Sequence, residues 1–394
     1  MPQPASPNAN LRAIVERIQT IGREVIAVHA DAVDRDARFP HEAFDALKAE
    51  KMLSCYVPVE YGGMGLGIGD LSKVCEVLAT YCASTAMIFA MHQIQIACIT
   101  HHALSSPFFQ RYIRELVDQQ YLLASSTTEL GVGGDVRTSI CAINVSGETF
   151  TLEKQAPVIS YGEAADGILV TCRKSADAAP SDQVHVLVTK KNCTLKRLSE
   201  WDTLGFRGTC SNGFVLTASG NIEQVLPVPY AEIHAKSMHP FSHSVWASLW
   251  LGIATESVSR ARASVRAEAR KSPGTPPPSA LRLAEVDLVL FSMRSGVQQT
   301  VAEYNQMLAD DVPGSFSSNF SFSLRINNLK VTASQLVVDI VSKAMIICGI
   351  AGYRNDSKIT LGRQLRDAYG AAIMVNNDRI LGQSSMMQIV QRDN

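Results

Sequence analysis

Thr127-Thr128-Glu129-Leu130-Gly131-Val132-Gly133-Gly134-Asp135-Val136 divides this chain into two textures. Gly131, Gly133 and Gly134 lie too close together for a regular element, so the stretch reads as a loop. On its N-terminal side the pattern is helical. Asn10–Ala32 carries Leu11, Ile14, Val15, Ile18 and Ile21 near a 3.6-residue period, and His41–Lys51 follows Pro40, which suits a first helical turn. Asp70 is placed to cap a helix whose stripe is Leu71, Val74, Cys75, Leu78, Tyr81 and Cys82. Ala86–Ile99 is apolar on nearly every side, as in a helix buried within a bundle. On the C-terminal side come short runs rich in Val, Ile, Thr and Phe: Thr149–Leu152, Gly167–Cys172, Val184–Thr189, Cys193–Leu198, Gly213–Leu216 and Ile222–Val225. These have the length and composition of strands in one compact β domain. Helical texture returns near Phe241, with long helices expected over Val245–Lys271, Ala280–Leu308, Leu324–Gly349 and Gln364–Leu381. The prolines between Lys271 and Ser279 separate the first two. The expected divisions are a helical domain over 1–123, a β domain over 124–240 and a helical domain over 241–394.

Composition narrows the class. The chain has 394 residues, 46 % hydrophobic and 19 % charged, which is globular and on the apolar side. Lys and Arg number 36 against 37 Asp and Glu, so there is no basic excess for a nucleic-acid binder. The nine cysteines form no CxxC pair, and the expectation is buried free thiols in a reducing cytoplasm. The start, Met1–Gln19, has no basic segment followed by an apolar stretch, so no signal peptide is expected. The most apolar segments, near Val245–Ala254 and Ala344–Ala351, read as too short to span a bilayer, and no membrane partner is expected. HExxH, His/Cys metal spacings and the GxSxG elbow are all absent, so no metal is expected.

Five motifs, together with the helical–β–helical order, resemble the acyl-CoA dehydrogenase superfamily over about residues 35–394. Pro58-Val-Glu-Tyr-Gly-Gly-Met-Gly-Leu66 is similar to its PxEYGGxGL loop. Thr127–Val136 is similar to its TEPGAGSD loop, with Leu130 in place of Pro and Gly134 in place of Ser. Val158-Ile-Ser160-Tyr-Gly162 with Ala165-Asp166 resembles W-I-[ST]-N-G…AD, and Leu204–Ser211 resembles LGxRGTxS. Gly349-Ile-Ala-Gly352-Tyr353 with Leu365-Arg-Asp367-Ala resembles FGGxGY…RDA, Ile346 standing where the family has Gln. The resemblance implies an α+β multi-domain fold: an N-terminal α-helical domain, a middle β-barrel-like domain and a C-terminal four-helix bundle.

It also implies a flavin site. Thr127 and Thr128 match residues at the flavin pyrimidine side, and Gly133 and Gly134 match those near pyrophosphate and substrate. Ser160 falls at the N5 edge, and Val158 stands where an aromatic residue often covers the ring. Gly349 and Gly352 match the motif that reaches a neighbouring subunit's FAD, with Arg270 as pyrophosphate partner. The implied cofactor is FAD, or FMN under a monooxygenase reading. The implied assembly is a homotetramer or homodimer with an electron-transfer partner or a flavin reductase.

The family's base is a Glu eight residues after the Asp of RDA, which here is Val375, with Asn377 at the cofactor-contacting position two further on. The family's other Glu position aligns to Ser242, beside His243. Neither is acidic. Asp378 is the nearest carboxyl by a small slip of register, and His243, with an ordinary pKa near 6.5, is a candidate to polarise a carbonyl or move a proton. Three functions therefore stand open: a flavin oxidoreductase acting on an acyl thioester or a related small molecule, a two-component monooxygenase or N-hydroxylase, and a catalytically silent flavin-binding scaffold.

Overall fold

The computed structural model describes residues 7–390. Six helices open it: α1 (Pro7–Ile21), α2 (Ala27–Arg35), α3 (His41–Ala49), α4 (Ile68–Tyr81), α5 (Ala83–His102) and α6 (Pro107–Gln119). The helix expected over Asn10–Ala32 is interrupted by a π-helical turn at Gly22–Ile26. The Tyr81 ring packs against Gly22 so closely that a Cβ there would lie 2.2 Å from it. Asp70 sits at the third position of α4 and accepts the Gly67 N–H at 3.0 Å, the reciprocal half of a capping box.

The middle region forms two sheets. β1 (Leu123–Ser126), β4 (Gly167–Arg173) and β5 (Gln183–Thr189) make one, in the order β1-β4-β5, with β1 parallel to β4. β2 (Asn144–Ser146), β3 (Thr149–Ala156), β6 (Cys193–Ser199) and β7 (Gly213–Asn221) make the other, antiparallel in the order β2-β3-β7-β6. Along β3, Phe150, Leu152, Lys154 and Ala156 alternate inward. The run Ile222–Val225 is not a strand. Gln224 accepts the Asn221 N–H at 2.8 Å and Asn221 accepts the Glu223 N–H at 3.0 Å, which closes a 3-10 turn.

The C-terminal region comprises α7 (Tyr230–Ile233), α8 (His239–Ala269), α9 (Ser279–Asp310), α10 (Ser315–Ser318), α11 (Phe320–Cys348), α12 (Ile350–Tyr353), α13 (Gly362–Ile373) and α14 (Asn377–Val390). A π-helical turn, His234–Met238, joins α7 to α8. Helix α8 is central and touches α4, α5, α9 and α11. Gly252 allows the α4 contact, since a Cβ there would stand 2.2 Å from the Glu76 carbonyl oxygen. The helix expected over Gln364–Leu381 is two, broken at Val375, whose φ of +49° no α-helix accommodates.

Helices α5 and α11 run longer than the short apolar segments suggested, and both are long and apolar enough to cross a membrane by length and composition. The apolar window of α5 is 89 % buried inside the fold, as in a core helix. All nine cysteines are free thiols.

Candidate functional site

The Thr127–Val136 loop is anchored from below. The Glu129 carboxylate is buried and accepts the Cys141 N–H at 2.6 Å, the Ser139 hydroxyl at 2.6 Å and the Ile140 N–H at 3.1 Å. The Lys154 ammonium lies 4.0 Å away. Glu129 is therefore committed to holding the loop. Thr128 donates to the Val158 carbonyl at 3.1 Å and ties the loop to the second motif. The Thr127 hydroxyl is left free among the described residues. Gly131, Gly133 and Gly134 all have positive φ, and a Cβ on Gly133 would meet nothing. The loop thus leaves an open backbone cradle that only glycine builds without strain.

Ser160 is half-buried and begins a hydroxyl chain: 2.8 Å to Ser211, then 2.7 Å to Thr209, which donates to the Phe206 carbonyl. The Tyr161 hydroxyl donates to the Leu123 carbonyl at 2.9 Å, locking this segment to β1. Arg207 is spent on the Asp34 and Thr203 carbonyls and on Asp202.

The start of α8 forms a wall within electrostatic reach of Arg137, just past the loop. The His243 ring lies 4.7 Å from His239 and 5.7 Å from Trp246, and His239 stacks on His234 at 5.5 Å. Ser242 contacts His243 Nδ1 at 3.1 Å. His239 Nε2 contacts Asn327 Oδ1 at 2.8 Å, and Asn327 donates to Ser384 on α14. Burial, reinforced by His239, Lys330 and His234, holds His243 well below the ordinary imidazole range. Its pKa is therefore not the unperturbed value near 6.5, and at neutral pH the ring is neutral. Burial lowers His239 as well. His92 is not part of this wall: its Nε2 meets the Leu53 carbonyl at 2.7 Å and its Nδ1 accepts the Leu123 N–H at 2.9 Å, both structural bonds.

Val375, where the family's base would stand, is 39 % exposed at the α13–α14 break. Beneath it, the fully buried Lys330 donates to the Val375 carbonyl and to Asn377 Oδ1, each at 2.7 Å. Burial pushes its pKa down to about 7. The ammonium lies 5.8 Å from the centre of the Trp250 ring. Asn377 is held a second time by Ser334. Asp378 is exposed in the first turn of α14, and its neighbour Arg379 does not pair with it. The Arg379 guanidinium instead donates to the Gly133 carbonyl and covers Gly134.

Arg270, Gly349 and Gly352 lie elsewhere. Helices α8 and α11 run in the same direction, with the His239–Asn327 contact near one end and Arg260 bonding the Thr360 carbonyl near the other. Gly349 ends α11, about 28 Å along the helix from Lys330 at a rise of ~1.5 Å per residue. Arg270 is exposed just past the end of α8. Within one chain these residues are not brought to the start of α8.

Sequence reasoning missed Lys330, His239, Asn327, Ser334 and Arg379. Lys330 was signalled: it lies on the buried stripe with Ile326, Ala333 and Val337, where an ammonium requires a partner. The loop side offers the free Thr127 hydroxyl and the open Gly133 backbone, Ser160 offers its oxygen as an acceptor, and α8 carries the partnerless buried indole N–H groups of Trp246 and Trp250. That donor set fits a planar heterocycle with carbonyl and nitrogen edges, as a flavin is. Among the described residues, no group of three or more His, Cys, Asp or Glu is arranged to hold a metal.

Comparison with known proteins identifies the family and the fold. Residues 8–120 match the acyl-CoA dehydrogenase N-terminal domain, and residues 242–381 match the acyl-CoA dehydrogenase C-terminal domain. The chain is 24 % identical to the amino sugar nitrososynthase DnmZ of Streptomyces peucetius over 351 residues, 86 % of this chain and 84 % of that protein. Its fold is similar to that of FMN-bound TdsC from Paenibacillus sp. A11-2, with a TM-score of 0.83, 17 % identity and coverage of 97 % of this chain and 98 % of that one. It is also similar to butyryl-CoA dehydrogenase from Megasphaera elsdenii, with a TM-score of 0.81, 19 % identity and coverage of 99 % and 100 %.

Proposed function

From its place in the acyl-CoA dehydrogenase superfamily, to which this chain belongs, we propose that the protein is a flavin-dependent monooxygenase of small molecules, supplied with reduced flavin by a separate reductase. One observation carries the choice over acyl-thioester dehydrogenation. Abstraction of an α-proton needs a base within reach, and the segment expected to carry it places the Val375 carbonyl on a buried lysine, with Asp378 out in solvent. The amino sugar nitrososynthase similarity, spanning most of both chains, supports oxygenation at an amine nitrogen as the substrate class.

Bound in the cleft, reduced flavin would supply the two electrons that oxygen activation needs. Thr127 and Ser160 would hold its polar edges, and the Gly133 cradle would admit it without a side-chain clash. Neutral His243, its Nδ1 engaged by Ser242, keeps Nε2 as the nitrogen that exchanges a proton with substrate. Arg379 would order the loop at Gly133. Because Arg270 and Gly349 are remote from the cleft of their own chain, we assign them to a neighbouring subunit's cofactor in a homodimer or homotetramer, with FMN or FAD as the group held.

The test is oxygen uptake by the purified protein with FMN or FAD, NADH, a flavin reductase and an amino sugar, beside anaerobic dye reduction with butyryl-CoA. Substrate-dependent oxygen incorporation into the amine, with no dye reduction, is expected. Rapid dye reduction by the thioester would overturn the assignment.

A further inference from the structure

Beneath the glycine loop, two thiols lie in register beside a buried charge. Ala142 forms a parallel bridge with Arg173, fixed by Arg173 N–H to the Cys141 carbonyl at 2.7 Å and Ile143 N–H to the Arg173 carbonyl at 3.1 Å. The preceding residues, Cys141 and Cys172, are therefore lateral neighbours in register. In a parallel pairing, in-register side chains share one face, with backbones about 4.8 Å apart. That spacing lies inside the Cα range of about 4.4–6.8 Å that a disulfide spans. Both thiols are buried, and they interact with each other and with the Lys154 ammonium.

Lys154 is on the inward face of β3, 1 % exposed. Its ammonium donates to the Ser126 carbonyl at 3.0 Å and to the Thr171 carbonyl at 2.5 Å, and faces Glu129 at 4.0 Å. The charged groups around the thiols are thus Lys154, which favours a thiolate, and Glu129, which opposes it. Glu129 is already saturated by Ser139 and by the N–H groups of Ile140 and Cys141. A cation beside one of two touching thiols is the arrangement that makes a cysteine nucleophilic.

We propose that Cys141 and Cys172 form a peroxide-oxidisable pair that closes to an intramolecular disulfide. The Cys141 thiolate attacks one oxygen of hydrogen peroxide; the O–O bond breaks, the sulfur becomes a sulfenic acid, and the departing hydroxide takes a proton to leave as water. The Cys172 sulfur then attacks the Cys141 sulfur. The S–S bond forms, the S–O bond breaks, and a second water leaves with the Cys172 proton. Two thiols lose two electrons and one peroxide becomes two waters. Cys55, Cys75 and Cys98, buried with their thiols pushed up by desolvation, have no such cation and are unreactive by comparison.

The experiment treats the full-length protein with hydrogen peroxide, digests it without reduction and maps the peptides by mass spectrometry. The expected result is a Cys141–Cys172 cross-linked peptide lacking two hydrogens relative to its parts and lost on adding dithiothreitol. In the Cys172→Ala protein, whose folding is checked by circular dichroism, Cys141 is expected to stop at the sulfenic acid and to be labelled by dimedone. Lys154→Met is expected to slow the cross-link about tenfold. Peroxide that oxidises surface methionines, or Cys193 and Cys210, while leaving Cys141 and Cys172 as free thiols would overturn the proposal. So would unlabelled Cys141 in Cys172→Ala.

Discussion

Lowering the pH from 7 to 5 should strongly destabilise this protein, and the buried histidines set how steeply. Burial pushes His101, His185 and His234 down to about 3 and His92 to about 4, so all four are neutral in the fold. In the unfolded chain each titrates near 6.5. For a base whose folded pKa is depressed, the unfolded state binds the extra proton between the two values. Stability is then intact above 6.5 and falls as pH drops toward 4. Each such group removes about 1.9 kcal/mol between pH 7 and 5, so four remove about 8 kcal/mol. Carboxyls raised by burial, Asp70 and Asp367, oppose them. Desolvation raises Asp367 to about 6, so the fold takes up its proton before the unfolded chain does and regains about 1.4 kcal/mol by pH 5. The net loss, about 6 kcal/mol, is comparable with the whole stability of a typical domain, about 5–15 kcal/mol. Urea titrations at pH 7.0, 6.0 and 5.0, followed by fluorescence of the buried Trp250, measure it. His185→Leu isolates one contributor. Neither ring nitrogen of His185 has a hydrogen bond of good geometry, so its loss at pH 7 should be nearly neutral. The pH slope should shrink by about 1.4 kcal/mol per unit. A slope below ~2 kcal/mol per unit in the parent protein between pH 6 and 5, or an unchanged slope in His185→Leu, would refute the reasoning.

The depressed Lys330 makes the mirror prediction on the alkaline side: the unfolded chain holds the proton up to about 10.4, so stability contributed at this site rises from pH 7 to 9. Lys330→Met should lose about 2 kcal/mol of that rise relative to the parent, read from paired denaturant titrations. Val375→Gly relieves a β-branched residue held at φ +49° and should raise stability by about 1 kcal/mol, seen as a rise in melting temperature; an unmoved or lowered melting temperature would refute it. Gly252→Ala drives a methyl into the Glu76 carbonyl and should cost about 3 kcal/mol, seen as a fall in melting temperature. Ser160→Ala should weaken flavin binding about fivefold by equilibrium dialysis, the worth of about one neutral hydrogen bond. Arg207→Ala, whose donors serve Asp34, Asp202 and Thr203, should lower stability and leave flavin affinity unchanged.

What local pattern carries was readable. The helical–β–helical order follows from a period near 3.6 giving way to short β-branched runs and returning, because each element must bury one face. Lys330 on the apolar stripe of α11 and Lys154 on the inward face of β3 were equally legible, since both break a pattern set by their neighbours. The glycine loop at Gly131–Gly134 announced a turn, and its three positive φ values are what glycine permits.

The rest was decided by contacts that no local window contains. The break at Val375 has neither proline nor glycine to mark it; it exists because Lys330, forty-five residues earlier, holds that carbonyl. Asp378 and Arg379 are adjacent in sequence, yet the guanidinium turns to Gly133 across the cleft and leaves the carboxylate in water. His234 stacks on His239, and His243 meets His239 edge-on, because a π-helical turn shifts the register where α8 begins. The amino-acid sequence by itself determined the helical–β–helical order and which loops are glycine-built, because those depend on intrinsic backbone preference and on the spacing of apolar side chains. Only the tertiary structure decided where the charges and protons reside, because burial and the partner across the fold, not the residue type, set the free energy of an ionised group.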